Sequence, residues 1–488
     1  MAPPWWSPYP AFSILIEPAV NHTLVLDIGK SNAKLLLLDE RGDVLSRHVQ
    51  ANHSVVGADY LELGIASIEA WLLHTIPLLP ERSRIGHLSI STHGAAFCAV
   101  DEERLVLPAI DYEWDGYGAH RDAFHQLADA FEQTGSPDLP LGLNAGLQLY
   151  WVHQTRPADW QRIRHWLAYP QYWAWWFSAV AASEVSSLGC HTHLWSPQDG
   201  RLAAWTHALG LADLFPPVKS AWETLGRVKP ALAARLGLPA ACQVHVGVHD
   251  SNACLARHLH GVPNGLVVST GTWCVVMAPG APPATLASDL DQLVNVSVEG
   301  KPVPTARFMG GREFAVLCDG ADPSLATLAA LEEVLVQGWA ATPSFAESGG
   351  PYQGHPGQIL RHGVPWVSGI AGVPQHLRPA LAALYCADIT AELIENLSDP
   401  GAQPVAVVIE GPLADNEAYC ASLSARLGHR DLLRSTDPLE GTARGAWMLA
   451  DWATRAGLAS WYQPLPAVPE RLGALLSHPA LTRSSLSR

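Results

Sequence analysis

Two segments of the chain, about 240 residues apart, share one design. In HTLVLDIGKSNAKLLLLDERGDVLSRHV, from His22, an apolar run ends in Asp27-Ile28-Gly29, a polar turn follows, and a second apolar run begins at Leu35. In GLVVSTGTWCVVMAPG, from Gly265, the residues Ser269-Thr270-Gly271-Thr272 separate two β-rich runs. Each predicts strand, loop, strand. A dinucleotide fold would follow its glycine loop with a helix and carry G-x-G-x-x-G, and the first loop has neither. Two such units in 488 residues, a length beyond one compact core, predict two related domains. Each presents a small-residue loop whose backbone N–H groups can face one anion.

The segments between and after them carry further strands and helices. LSISTHGAAFCAVDEERLVLPAIDY reads as another strand pair, with His93-Gly94 at the end of its first strand. CQVHVGVHDSNACLARHL is a strand ending at Asp250 that runs into an amphipathic helix. VAVVIEGPLADNEAYCASLSARLG is a buried strand, a Gly-Pro turn at Gly411 and a helix. Apolar positions at 3–4 spacing predict helices over 60–76, 121–133, 376–397 and 440–455. Strands alternating with helices in both halves predict an α/β architecture. The domain boundary is expected near Gly261, giving domains 23–261 and 262–488 behind an N-terminal extension, 1–22. The Gly/Pro-rich stretch 347–374 reads as a long surface loop, and the Trp-rich stretch 151–176 as packing between helices rather than a ligand box.

Composition narrows the partners. With 48% hydrophobic and 16% charged residues the chain has the apolar surface to fold, and disorder is excluded. The 46 acidic against 30 basic residues, a formal −16, oppose a surface that tracks DNA or RNA phosphates. The eight cysteines are scattered without C-x-x-C spacing, which predicts a reducing compartment. The first residues lack a basic n-region, and no stretch approaches the roughly 20 apolar residues of a membrane span. The expected location is the cytoplasm, without a membrane partner. There the glycosylation-type triplets at Asn21, Asn52 and Asn295 carry no meaning.

Several residues are candidates for chemistry. Asp27 with Gly29, Ser31 and Lys34 puts a carboxylate, a flexible turn, a hydroxyl and a cation at one strand end, a kit for handling phosphate and metal, although D-x-G is also an ordinary turn. Thr270, Gly271 and Thr272 offer hydroxyls and close backbone approach, or simply a good turn. Asp250 at a helix start is either a functional carboxylate or an N-cap. His93 beside Gly94 either hydrogen-bonds a polyol or is a satisfied core histidine. Cys190-His191-Thr192-His193 would place two imidazoles on one side of a strand, but no carboxylate or further cysteine stands at ligand spacing for zinc.

The order of these pieces resembles the FGGY family of carbohydrate kinases, over about Leu24 to Ala450. The resemblance implies a two-domain actin-like, hexokinase-like ATPase of ribonuclease H-like fold, with a catalytic cleft between the domains, sugar in the N-terminal one and ATP mainly on the C-terminal one. It makes DIGKSNAK the first phosphate loop, with Gly29, Lys30, Ser31, Asn32 and Lys34 on the nucleotide, and STGTW the second, through Thr270, Gly271 and Thr272. Gly310, Gly311, Gly411 and Asn416 fall on the nucleotide side too. Glu410 and Pro412 depart from the usual glycine-richer turn. Asp250 in GVHDSNA matches the catalytic base and, with His93 and Gly94, the sugar site; Asp27 would hold Mg²⁺. NVSVEGKPVPTARFMGGREF and SLGCHTHLW are most similar to the branch containing L-fuculokinase and rhamnulokinase. The implied reaction transfers the ATP γ-phosphate to a hydroxyl of a free, neutral ketose, a pentulose or a 6-deoxyhexulose such as L-fuculose or L-rhamnulose. A sugar-independent actin-like ATPase and a non-catalytic sensor remain the alternatives, and a homodimer stays open.

Overall fold

The computed structural model describes residues 21–282, 286–347, 349–398, 403, 405–437, 439, 441–458 and 461–477; the expected extension up to residue 20 lies outside them. The first half is built on β1 (His22–Ile28), β2 (Asn32–Leu38), β3 (Val44–Ala51), β4 (Ile85–Thr92), β5 (Thr224–Arg227), β6 (Gln243–His245) and β7 (Val248–His249). They form one sheet in the order β5-β6-β4-β1-β2-β3, with β7 continuing along β4. The second half is built on β8 (Leu266–Thr270), β9 (Cys274–Met277), β10 (Gln292–Val296), β11 (Pro302–Phe308), β12 (Val407–Glu410), β13 (Leu432–Ser435) and β14 (Tyr462–Pro464), in the order β10-β11-β9-β8-β12-β13-β14.

The two sheets repeat one plan. In the first, the antiparallel hairpin β1–β2 has β4 parallel on its free side. In the second, the hairpin β8–β9 has β12 parallel on its free side. The duplicated strand-loop-strand segments are therefore equivalent elements of two related sheets.

Both faces of the first sheet are covered, which is why β1 reads as a near-continuous apolar run. Alternation sends Leu24, Leu26 and Ile28 to a core with Ile65, Ile68 and Leu72 of α1 (Ile65–Thr75) and Trp173 and Phe177 of α2 (Tyr169–Ser178). Val25, Leu36 and Leu38 face the other way. There they pack on Ala443, Ala446 and Trp447 of α7 (Gly441–Leu449), a helix from the far end of the chain. Between these lie α3 (Asp250–Leu259), α4 (Gly310–Cys318), α5 (Arg378–Asn396) and α6 (Glu417–Arg426), of which α5 is buried against the second sheet.

Several local expectations are corrected. The strands around His93 do not pair with each other: β4 joins β1 in parallel, while Phe97–Val100 pairs with His165–Ala168 in a separate two-stranded sheet. The helix expected over 121–133 is two, Ala119–Leu127 and Phe131–Thr134, because Ala128 is extended. That expected over 440–455 divides into α7 and Trp452–Arg455. The stretch 347–374 holds Gln358–Arg361 and Val364–Pro365, which make a small sheet with Trp339–Thr342. His191 and His193 lie on a loop, both at positive φ, and not on a strand. The Trp-rich stretch packs as expected, with Trp151, Trp166, Trp173 and Trp175 buried. No helix among the described residues is long and apolar enough to cross a membrane, and all eight cysteines are unpaired.

Candidate active site

Parallel pairing decides which residues meet. In register, Asp27 lies opposite Ser91, and Thr92 lies opposite both Ile28 and His249. The residues that leave β1, β4 and β7, namely Gly29, His93 and Asp250, therefore emerge side by side at the carboxyl edge of one sheet, where α/β folds bind ligands.

Asp250 is the first residue of α3, and the N-cap position belongs to His249, so the capping expectation is not met. Its Oδ1 accepts the Ser251 N–H at 2.6 Å and faces the His249 Nε2 at 3.3 Å. Burial pushes the His249 imidazole down, and the ring is neutral near pH 7. The Asn252 amide N–H lies 3.3 Å from Nδ1, which accepts from it, so the ring proton sits on Nε2. His249 thus turns its N–H side toward Asp250, while the Ser251 N–H and hydroxyl orient the carboxylate. Gly94 makes room for this ring: a Cβ there would lie 2.6 Å from His249 Nε2.

His93 is buried, and burial pushes it down as well. Its Nδ1 lies 2.9 Å from the Gly94 carbonyl oxygen, which can only accept, so Nδ1 bears the proton and Nε2 is a bare acceptor. That Nε2 has no partner in the protein. A buried acceptor of this kind suits a ligand hydroxyl. The rings of Tyr112 and Tyr169 lie against it, at 5.6 and 5.3 Å between centroids.

Lys30, at the first loop, turns to this same side. Its Nζ donates to Asp111 Oδ1 at 2.6 Å and to Ser54 at 3.1 Å, pairs with Glu113 at 3.1 Å and sits 4.8 Å over the Tyr112 ring. Burial raises the Asp111 carboxyl, but bonds from Lys30, Ser54 and the Glu113 N–H outweigh it and hold the group below the usual carboxylate range. Lys30 is therefore tied to acids on the histidine side of the loop, while Ser31 and Asn32 stand exposed at its tip.

The second sheet supplies a different kind of surface. Gly271 and Thr272 are exposed after β8. The Thr270 hydroxyl is committed, donating to the Glu410 carbonyl at 2.6 Å and accepting the Leu413 N–H at 3.1 Å. Gly411, which follows β12, has φ +82°, and a Cβ there would sit 1.9 Å from the Thr270 oxygen; only glycine allows the two strand ends so close. At the start of α4, a Cβ on Gly311 would lie 2.1 Å from the Gly271 oxygen, while Gly310 packs on Cys274. Asn416 caps α6 by accepting the Tyr419 N–H at 2.9 Å. Thr270, Gly310, Gly311, Gly411 and Asn416 thus shape the loop and its neighbouring turn, and Gly271 and Thr272 form its open edge.

Asp27 lies beneath both surfaces. It is on the β1 face that α7 covers, where Thr442 donates to it at 3.0 Å and Lys34 approaches to 3.7 Å. Burial pushes the Cys254 thiol on α3 up to about 12, and Arg257, Asp250, Asp27 and Lys34 all lie near enough to act on it. The strand-end carboxylates of β1 and β7 therefore share one locality.

These two related sheets, with strand ends meeting around α3 and α7, are matched by known proteins over nearly their whole extent. Residues 22–256 match the N-terminal domain of the FGGY family of carbohydrate kinases, and residues 263–458 match the C-terminal domain of carbohydrate kinase FGGY. The chain belongs to the FGGY family. A carbohydrate kinase from Novosphingobium aromaticivorans is 32% identical, with a TM-score of 0.82 over 92% of this chain and 95% of that one. A xylulose kinase from Rhodospirillum rubrum, 17% identical with a TM-score of 0.73 over 93% and 96%, shares the fold. The L-fuculokinase of Salmonella typhi is 24% identical over 265 residues, which span 52% of this chain and 56% of that protein.

Within this FGGY chain, sequence reasoning missed His249, Asp111, Tyr112 and Thr442. His249 carried a signal, since it directly precedes Asp250. Thr442 carried none, because only the return of α7 to the first sheet brings it to Asp27. His191 is held by the Leu143 carbonyl at 3.0 Å, and burial, then Arg307 and His249, push its imidazole down to about 3. Among the described residues no group of three or more His, Cys, Asp or Glu could hold a metal. The buried Asp27 carboxylate fits Mg²⁺, which keeps several waters and is commonly bound through one or two carboxylates together with substrate phosphates.

Proposed function

We propose that this chain is an ATP-dependent kinase of a free ketose, a pentulose or 6-deoxyhexulose. The observation that carries the reading is the pairing, at the carboxyl edge of the first sheet, of the Asp250 carboxylate with a buried bare acceptor, His93 Nε2; the helix that Asp250 begins, α3, shares a buried cluster, through Leu255, with Val267 of β8, the strand that leads into the exposed small-residue loop at Gly271-Thr272. The names of the relatives, L-fuculokinase and xylulose kinase, support the two acceptor classes. Lys30, the cation beside Tyr112 and the His93 pocket, is paired with the Asp111 carboxylate, which favours a neutral acceptor.

Phosphoryl transfer has a loose transition state with charge spread over the phosphoryl oxygens, so alignment and electrostatics supply most of the rate. His93 accepts from a sugar hydroxyl and orients the acceptor. Asp250, held by the Ser251 N–H and hydroxyl, takes the proton of the attacking hydroxyl; a carboxylate suffices because the bond to the leaving group is largely broken before that proton moves. The Gly271-Thr272 edge and the tip at Ser31-Asn32 offer N–H and hydroxyl donors to nucleotide phosphates. Asp27 would hold Mg²⁺, which when bound neutralises charge on the phosphates. A cytoplasmic location belongs to the same reading.

The test is a panel of pentuloses, 6-deoxyhexuloses, hexuloses and glycerol with ATP and Mg²⁺. Phosphate transfer to a ketose is expected. ATP turnover that ignores sugar would favour an actin-like ATPase, and binding of both ligands without turnover would favour a sensor.

A further inference from the structure

The last turn of α3 ends in a buried charge chain that the reaction as described leaves unused. Arg257 pairs through Nη2 with Glu410, and His258 Nε2 lies 3.1 Å from the same carboxylate. Arg257 Nη1 lies 3.6 Å from Asp437, and Asp437 in turn accepts from Arg444 Nε at 2.9 Å. Arg444 donates to the Gly42 carbonyl of the first half at 2.9 Å. The four charged side chains are each 7% exposed or less, two cations against two anions. Burial, and then Arg257, keep His258 neutral; its Nε2 donates to Glu410 and its Nδ1 accepts from the Tyr462 hydroxyl at 3.0 Å.

Glu410 is the point where this chain meets the nucleotide side. Its carbonyl accepts the Thr270 hydroxyl, and the next residue, Gly411, packs directly on the Thr270 oxygen. Its carboxylate holds the far end of the helix that begins with Asp250. Seven residues of α-helix separate Asp250 from Arg257, about 10 Å of rigid backbone. A displacement at one end is transmitted to the other. On its flank α3 is crossed tightly by α7, where a Cβ on Gly445 would lie 1.8 Å from the Ala253 oxygen.

A buried ion chain is an inefficient source of stability, because the desolvation of its members offsets most of their attraction. What it supplies well is a fixed register. We propose that Glu410 is a positioning residue: by gripping Arg257 and His258 it sets α3, and hence the Asp250 carboxylate, in register with the Gly271–Gly411 surface, so that acceptor and nucleotide are aligned with each other. The proposal rests on the sugar-kinase reading above.

The test is a double-mutant cycle on the full chain, with Glu410→Gln and Asp250→Asn, read as melting temperature, direct affinity for the best acceptor, and kcat. Glu410→Gln alone is expected to stay folded, to bind acceptor within about two-fold of normal and to lose at least ten-fold in kcat. In the Asp250→Asn background it is expected to cost less than two-fold more, because the lesion acts through that carboxylate. Should Gln abolish folding, Glu410→Asp, which keeps the charge and shortens the reach, enters the same cycle. An unchanged kcat, or two losses that multiply, overturns the proposal while the kinase reading stands. A wild-type protein that phosphorylates no acceptor overturns both.

Discussion

At the ends of β4 and β7 the site is lined by side chains that orient one another, with His93, His249, Asp250, Asp111 and Lys30 joined pairwise by hydrogen bonds or ion pairs to near neighbours. At the ends of β8 and β12, by contrast, the side-chain groups are spent on the protein itself, and what faces outward is glycine, a threonine hydroxyl and backbone. The two surfaces come from sheets of the same plan, so the difference is not one of fold. It reflects what each surface would have to distinguish. A neutral polyol is told apart by where its hydroxyls sit, which needs fixed side-chain acceptors and donors. A polyphosphate is recognised by charge density, which backbone N–H groups serve without discrimination.

Substitutions can break this contrast or sharpen it. The largest effect is expected at Asp250. Asp250→Asn retains an oxygen for the Ser251 N–H, so the melting temperature should hold, yet the amide cannot take a proton and turnover should fall by about 10²–10⁴. Near-normal turnover would move the base to another strand-end carboxylate such as Asp27. Next comes the loop after β8, the proposed nucleotide side. Thr272→Val keeps the loop's shape and deletes one hydroxyl; if that hydroxyl meets a charged oxygen, kcat/KM for ATP should drop by roughly 1.5–3 kcal/mol while acceptor affinity is unchanged. If ATP kinetics do not move, the loop contributes backbone alone.

Gly411→Ala tests whether the backbone surface depends on its shape. Its positive φ and the Thr270 oxygen within bonding distance of a Cβ predict a loss of about 1–3 kcal/mol in stability, visible as a lowered melting temperature and weaker ATP binding, with acceptor affinity spared. Equal damage to both ligands would mean that the two surfaces are not separable. The smallest effect is expected at His93. Replacing His93 with Phe keeps a ring and removes a neutral acceptor, which should raise KM for the acceptor by about 0.5–1.5 kcal/mol and leave KM for ATP alone. A variant with normal acceptor kinetics would make His93 a core residue whose bare Nε2 has no ligand.

The chain's own sequence determined the architecture and the identity of the strand-end residues. Apolar runs broken by Asp27-Ile28-Gly29 and by Ser269–Thr272 are local signals, and each pairs its two flanking strands as an antiparallel hairpin. The position of Asp250 at a strand-to-helix junction was legible for the same reason. What lay beyond the sequence was partnership. Lys30 belongs to the first loop by sequence but to Asp111 by contact, 81 residues away. Thr442 reaches Asp27 across 415 residues, and Glu410 reaches His258 across 152. These pairings depend on α7 folding back on the first sheet and α3 running into the second. Local propensity is written in neighbouring residues, whereas side-chain pairing is decided by which buried faces are brought together when two sheets and two crossing helices close on one another.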